Sequence, residues 1–220
     1  MNYEKLMEVF NLMHDRYGPQ KWWPGDSEYE VAVGAILTQN TNWRNVESAL
    51  ENLKNANSLD PFTIDEMPAE QLATLIRPAG YYNVKAKRLK NFNHWLITEH
   101  DGQIEQLNNK SIDTLREELL SVNGIGRETA DSIILYAVKK PTFVVDAYTC
   151  RIMLRHQFID PYADYEQVKD FFESCLPADV ELFNEYHALL VQVGKNHCKP
   201  KAKCAGCPLE SLPHELDPMF

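Results

Sequence analysis

The chain lacks any apolar run approaching the ~18 residues that a membrane-spanning helix requires. Its first residues, MNYEKLMEVF, lack the basic-then-apolar order of a signal peptide. Cysteine is scarce: five in 220 residues, an odd number with three crowded near the C-terminus, which argues against a secreted disulfide framework. These absences lead to the expectation of a cytoplasmic protein without a membrane partner. Alternating strand-like segments of useful length, internal repeats and low-complexity linkers are also absent. Positive charge is in deficit, with 22 Lys and Arg against 32 Asp and Glu, a formal net charge of −10. That excludes a general nucleic-acid coat, so any grip on a polyanion must come from a local basic face. Candidates are Lys85, Lys87, Arg88 and Lys90, then Lys139 and Lys140, then the lysines from Lys195 through Lys203.

Apolar residues recur at helical spacing. Leu6, Phe10, Met13 and Tyr17 predict a first helix, stopped by Gly18-Pro19. Ser27 is placed to cap a helix through Val31, Ile36 and Leu37, and Asn42 to cap one through Trp43, Val46, Leu50 and Leu53. Pro68 opens a helix ending near Gly80, and Tyr81-Tyr82-Asn83 starts one with its four basic residues on the polar side. Asp113 is expected to cap the helix entering the next turn. Two more helices are expected over Tyr165 to Cys175 and Val180 to Val193, with Cys150 and Cys175 on apolar faces as core residues. The class is all-α with short connections.

The stretch LLSVNGIGRETADSIILYAVKKPTFVVDAYTCR, Leu119 to Arg151, organises the rest. Leu115, Leu119 and Val122 lead into Gly124-Ile125-Gly126, and Ala130, Ile133, Ile134 and Ala137 follow at helical spacing. This is a helix, a glycine hairpin with Ile125 plugging the gap, and a second helix. Its amides and the positive dipole end of the second helix offer a seat for a phosphate. Downstream, Val144-Val145-Asp146 places an acid at the start of another amphipathic segment, where by itself it reads as an N-cap.

Glycine hairpin and aspartate, in this order and spacing, resemble the helix-hairpin-helix/Gly-Pro-Asp superfamily of DNA glycosylases on its endonuclease III side. The resemblance implies a two-lobed helical fold with its active site in the interdomain cleft. One domain would be a helical barrel over 28–140; the other would join 1–27 to 141–220. It further implies that Gly124, Ile125, Gly126, Arg127 and Thr129 grip DNA, and that Asp146 is the catalytic carboxylate. Gln39, in Leu37-Thr38-Gln39-Asn40-Thr41-Asn42, takes the position of a glutamine that fills the gap left by an extruded nucleotide. The partner would be double-stranded DNA containing a damaged base, bound by a monomer.

Three cysteines, Cys198, Cys204 and Cys207, form C-x5-C-x2-C among lysines and prolines. In the family a related spacing with a fourth cysteine holds a [4Fe-4S] cluster. Here the first gap is shorter, and Pro213 stands where the fourth cysteine would fall. The readings left open are a cluster completed by His197 or His214, a zinc site ranked second, or a degenerate site.

Chemistry follows from one further position. Bifunctional members carry a nucleophilic lysine where this chain has Glu128, and a carboxylate cannot form an imine. The resemblance therefore implies hydrolysis without strand cleavage. The adenine-mismatch branch carries a glutamate where Gly34 stands. The 3-methyladenine branch shares Trp22, Trp23, Pro24 and the aromatic Trp43, which there line the base pocket. Indole faces suit a base made cationic by alkylation. The alternatives are a mismatch (T/U·G) or oxidised-base glycosylase of the endonuclease III family, or a non-catalytic DNA-binding hairpin protein.

Overall fold

The computed structural model of the protein describes residues 2–216. Among these residues all regular structure is helical. In chain order the helices are α1 (Asn2–Tyr17), α2 (Glu28–Leu37), α3 (Trp43–Asn55), α4 (Pro61–Glu66), α5 (Ala69–Leu75) and α6 (Tyr82–His100). There follow α7 (Ile112–Ser121), α8 (Arg127–Ser132), α9 (Ala147–Arg155), α10 (Tyr165–Cys175) and α11 (Val180–Asn196). Short 3-10 turns lie at Arg77–Ala79 and Ile104–Asn109, and α8 runs on into a π-helical turn, Ile133–Ala137.

The chain divides into two compact units, Trp23–Lys140 and Met1–Trp22 with Pro141–Phe220. Within the first, α6 packs on α4 and α5, and α2 packs on the π-turn. Phe92, Leu89 and Leu96 of α6 are fully buried, each such side chain contributing about 1.5–3 kcal/mol relative to exposure. In the second unit α11 lies against α1 and α9, and Phe143, Phe172, Phe183 and Tyr186 form an aromatic core, with Phe143 stacked on Phe172 at 3.9 Å.

Ser27 and Asn42 cap their helices as the sequence predicts, accepting from the amides of Glu30 and Asn45. Three expectations are corrected. The helix entering the hairpin is capped by Ser111, whose hydroxyl accepts from Thr114 N; Asp113 lies inside the first turn. Cys150 and Cys175 are half-buried rather than core. The basic face of α6 is also thinner than its composition suggests. Lys90 donates to the carbonyls of Asp65 and Met67, closing the C-terminal end of α4. Lys85 is 1% exposed and donates to Leu37 O at 2.8 Å and Ala79 O at 2.7 Å. Burial, with Arg88 nearby, pulls its ammonium down to about 8. Its structural effect is to tie the end of α2 to the turn that precedes Tyr81.

Candidate active site

The hairpin is built as the glycine spacing requires. Gly124 sits at φ +100, in the left-handed half of the map that side chains avoid. Ile125 is buried between the arms, and its amide bonds Val122 O at 3.0 Å. Behind the turn, Arg116 of α7 grips the fully buried Asp131 of α8 with two bonds, 2.8 and 3.2 Å, so the two arms are joined by a charge-assisted fork. Gly126, Arg127 and Glu128 are exposed, and Gly126 has open space where a side chain would go. Thr129 is buried, its hydroxyl turned inward.

That hydroxyl meets Gln39. The glutamine donates to Thr129 Oγ1 at 2.8 Å and to Gly124 O at 3.1 Å, and its Oε1 accepts from the Arg88 guanidinium. One polar residue of the α2–α3 loop is thus tied to both sides of the hairpin and to α6. On the far side of the Lys85 tether stands Tyr81, 70% exposed and at φ +45. A non-glycine residue in that region costs energy, and such strain gathers at functional positions.

Trp23 and Trp43 meet edge to face, centroids 4.9 Å apart, and Tyr136 lies 5.0 Å from Trp23 on another side. Tyr136 comes from the π-turn, whose extra residue per turn re-aims the side chains that follow α8. Gly34 of α2 is the floor: a Cβ there would stand 3.3 Å from Trp23 Nε1 and 3.6 Å from Trp43 Cη2. Of the three tryptophans expected to share one pocket, these two are joined within the Trp23–Lys140 unit. Trp22 belongs to the other unit, and Pro24 is exposed.

In that other unit Asp146 is the N-cap of α9: Oδ1 accepts from Thr149 N at 2.7 Å. Its Oδ2 faces Nε2 of the buried His187 at 3.6 Å, and the carboxylate is only 11% exposed. Burial pushes the carboxyl upward, but His187 and the amide and hydroxyl of Thr149 outweigh it and hold the group below its ordinary value. The acid is thus ionised in a mostly dry setting. His187 lies on α11, as does Lys195, whose Nζ stands 5.6 Å from the Trp22 ring centroid and which feels the charge of Asp146. Close approach of α11 to α9 depends on Gly194, where a Cβ would fall 2.2 Å from Tyr148 Cδ1. Gln20, whose backbone N–H donates to Glu185 Oε1 at 2.8 Å, anchors the Trp22 segment to the same helix.

His187→Ala is expected to move the acid limb of the kcat/KM profile to higher pH. It removes the main influence opposing burial, so Asp146 titrates higher. With Asp146 as the catalytic carboxylate that the sequence leads one to expect, activity follows its ionised form, which is present above the pKa and lost as pH falls through it. An acid limb that stays in place would show that His187 does not hold this charge.

Cys198, Cys204 and Cys207 line one small pocket together with His156, His197 and His214. The loop is ordered by arginine. Arg155 donates to Lys199 O at 2.7 Å, Pro200 O at 2.8 Å, Leu216 O at 3.1 Å and Cys198 Sγ at 3.2 Å. Arg151 adds a bond to Cys198 O at 2.7 Å. Among the described residues no group of three or more His, Cys, Asp or Glu side chains is gathered to hold a metal ion. Burial and the neighbouring thiols also raise Cys207 above its ordinary value. As arranged, three thiols without a fourth, one of them bonded by a guanidinium, do not fit a four-thiolate cluster.

Residues 33–178 match the HhH-GPD superfamily base excision DNA repair protein family. A Methanocaldococcus jannaschii protein whose name proposes a DNA repair glycosylase is 48% identical over 212 residues, 96% of each chain. Endonuclease III of Escherichia coli is 26% identical over 214 residues, again 96% of each. The H. pylori 3-methyladenine DNA glycosylase MagIII, solved with 1,N6-ethenoadenine, superposes with a TM-score of 0.74 at 30% identity, covering 88% of this chain and 97% of that one. An endonuclease III–DNA complex gives a TM-score of 0.82 at 22% identity, covering 97% and 95%, a likeness of fold. With its glycine hairpin, its capped aspartate and these relatives, the chain belongs to the HhH-GPD superfamily of base excision DNA repair glycosylases, on the endonuclease III-like side.

Proposed function

We propose that this glycosylase is monofunctional and removes alkylated purines, 3-methyladenine first, from double-stranded DNA, acting as a monomer. The observation that carries the chemistry is Asp146, held ionised at the N-cap of α9 with Oδ2 toward His187. Cleaving an N-glycosidic bond develops positive charge on the sugar, and a fixed carboxylate in a dry site stabilises that charge and orients water for attack. Glu128 at the start of α8 supplies no amine, so water is the nucleophile.

Substrate choice rests on the indole pair Trp23 and Trp43, with Tyr136 beside them and Gly34 leaving the floor bare. Trp22 is assigned the same role from its own unit. The likeness to MagIII, itself a 3-methyladenine glycosylase by name, supports this reading. A cation on an aromatic face gains about 0.5–2 kcal/mol over a neutral base, and the alkylated glycosidic bond is already weakened. The hairpin takes a backbone phosphate at Gly124 and Gly126, and the exposed Lys199, Lys201 and Lys203, on the loop that Arg155 orders, add phosphate contacts. Gln39 fills the space left by the flipped nucleotide. Tyr81, exposed and held up by a strained turn, enters as an apolar wedge. No step of this chemistry runs through the cysteine loop.

The test is a panel of duplexes bearing 3-methyladenine, 7-methylguanine, 1,N6-ethenoadenine, thymine glycol or a T·G pair, each run with and without borohydride. Release of methylated purines to leave intact abasic strands, with no protein–DNA adduct, is expected. Thymine release from T·G with methylated DNA untouched would replace the substrate assignment, and a trapped lysine adduct would overturn the monofunctional one.

A further inference from the structure

Gln39 is engaged in a way that conflicts with the role assigned to it. A primary amide has two N–H donors and two acceptor lone pairs. Both donors are committed, one to Gly124 O and one to Thr129 Oγ1, and one lone pair takes the Arg88 guanidinium. In this position Gln39 can accept one more bond but can donate none. A thymine left without its adenine presents both a donor, N3–H, and acceptors, its two carbonyls. An amide matching that edge must therefore give up at least one bond to the hairpin.

The partner that can release it is also in place. The stem of Arg88 lies flat against Gly124, so close that a Cβ on that glycine would fall 2.3 Å from Arg88 Cγ. Next to it, Asn91 of the same helix donates to Asn123 O at 2.9 Å, tying α6 directly to the hairpin. A guanidinium bonds a phosphate with two charge-assisted hydrogen bonds, each stronger than its single bond to a neutral amide oxygen. A phosphate arriving at the hairpin competes directly for Arg88.

We propose that Arg88 and Thr129 are positioning residues that hold Gln39 against the hairpin in the free protein and release it as Arg88 turns to a DNA phosphate. Insertion of the glutamine is thereby tied to correct seating of the hairpin, and the amide is kept out of the duplex until the backbone is gripped. The proposal rests on the reading of Gln39 as the residue that enters the duplex, and the experiment separates the two.

The full-length protein is titrated against a duplex with a tetrahydrofuran abasic site opposite 2-aminopurine, and against the same duplex undamaged. Thr129→Val removes one bond of the resting state without changing shape or charge. It is expected to bind the abasic duplex about threefold to tenfold more tightly, the worth of one net hydrogen bond, with no matching gain on the undamaged duplex. Thr129→Ser, which restores the hydroxyl, should return affinity to the wild-type value. Equal or weaker binding of the abasic duplex by Thr129→Val would show that the hairpin already holds Gln39 in its working pose, overturning the proposal. So would an equal change on both duplexes, which would place Thr129 in the phosphate grip instead. Gln39→Ala should abolish the 2-aminopurine response. If the response persists, the entry role itself is wrong, and the hold has nothing to release.

Discussion

Asp146→Asn should reduce excision by about a thousandfold, the cost of losing one preorganised electrostatic group, while the protein stays folded and binds DNA with unchanged affinity. The separation follows from the two roles of this side chain. As an N-cap, Asp146 accepts from Thr149 N through Oδ1, and asparagine is as good a cap as aspartate because its carbonyl oxygen makes the same bond. As the anion beside His187, the residue has no replacement: an amide carries no net charge to stabilise the developing sugar cation. Single-turnover excision on a methylated duplex, a binding isotherm on an abasic analogue and a thermal melt measure the three properties separately. Excision within tenfold of wild type by a folded Asp146→Asn protein would remove the residue from the chemistry. A drop in binding equal to the drop in excision would assign it to DNA grip.

The same residue shows what the sequence reveals and what it conceals. Asp146 is legible as a cap from local order alone, and the resemblance carried by the hairpin upstream is what marks it as the candidate catalytic carboxylate. His187 is not legible, because a histidine in the middle of an amphipathic helix gives no local sign of the carboxylate it faces across a packing contact. Gly194 does leave a sign. Glycine inside a helix costs about 1 kcal/mol relative to alanine, so its presence one residue before Lys195 points to a close helix crossing, which Tyr148 fills.

Lys85 and Lys90 mislead for a related reason. Four basic residues on one helix read as a solvated or DNA-facing side, yet two of them bond the carbonyl ends of neighbouring turns. Helix periodicity places a side chain on a face but does not say whether another element's unpaired carbonyls wait there. The segment α4 could have been found, since Asp60-Pro61 is a cap followed by the proline favoured at the first helical position. The π-turn that re-aims Tyr136 could not. It lies against α2, a contact that the local sequence does not announce, and Ile-Ile-Leu-Tyr-Ala is an ordinary helical run.

Gly34 gives the second large effect, and it is graded. A Cβ at this position comes to 3.3 Å from Trp23 Nε1 and 3.6 Å from Trp43 Cη2, a tight but tolerable approach to indoles that can give by a few tenths of an ångström. Gly34→Ala is therefore expected to keep excision within a few-fold of wild type. Its melting temperature should not fall, since alanine gains about 1 kcal/mol of helix propensity in α2. Gly34→Glu carries four further heavy atoms and a charge into the same space. The side chain must either displace both indoles from their edge-to-face contact or bury an unpaired carboxylate, each of which costs several kcal/mol. Excision of 3-methyladenine should fall by at least about a hundredfold, the equivalent of roughly 2.7 kcal/mol in the transition state. Affinity for undamaged duplex, which we assign to the hairpin and the lysine loop, should hold. Quenching of tryptophan fluorescence by acrylamide reports the cause directly, because displaced indoles become more accessible in Gly34→Glu and not in Gly34→Ala. Retention of full activity by Gly34→Glu would show that the base does not sit against Trp23 and Trp43, and the aromatic assignment of the pocket would fall with it.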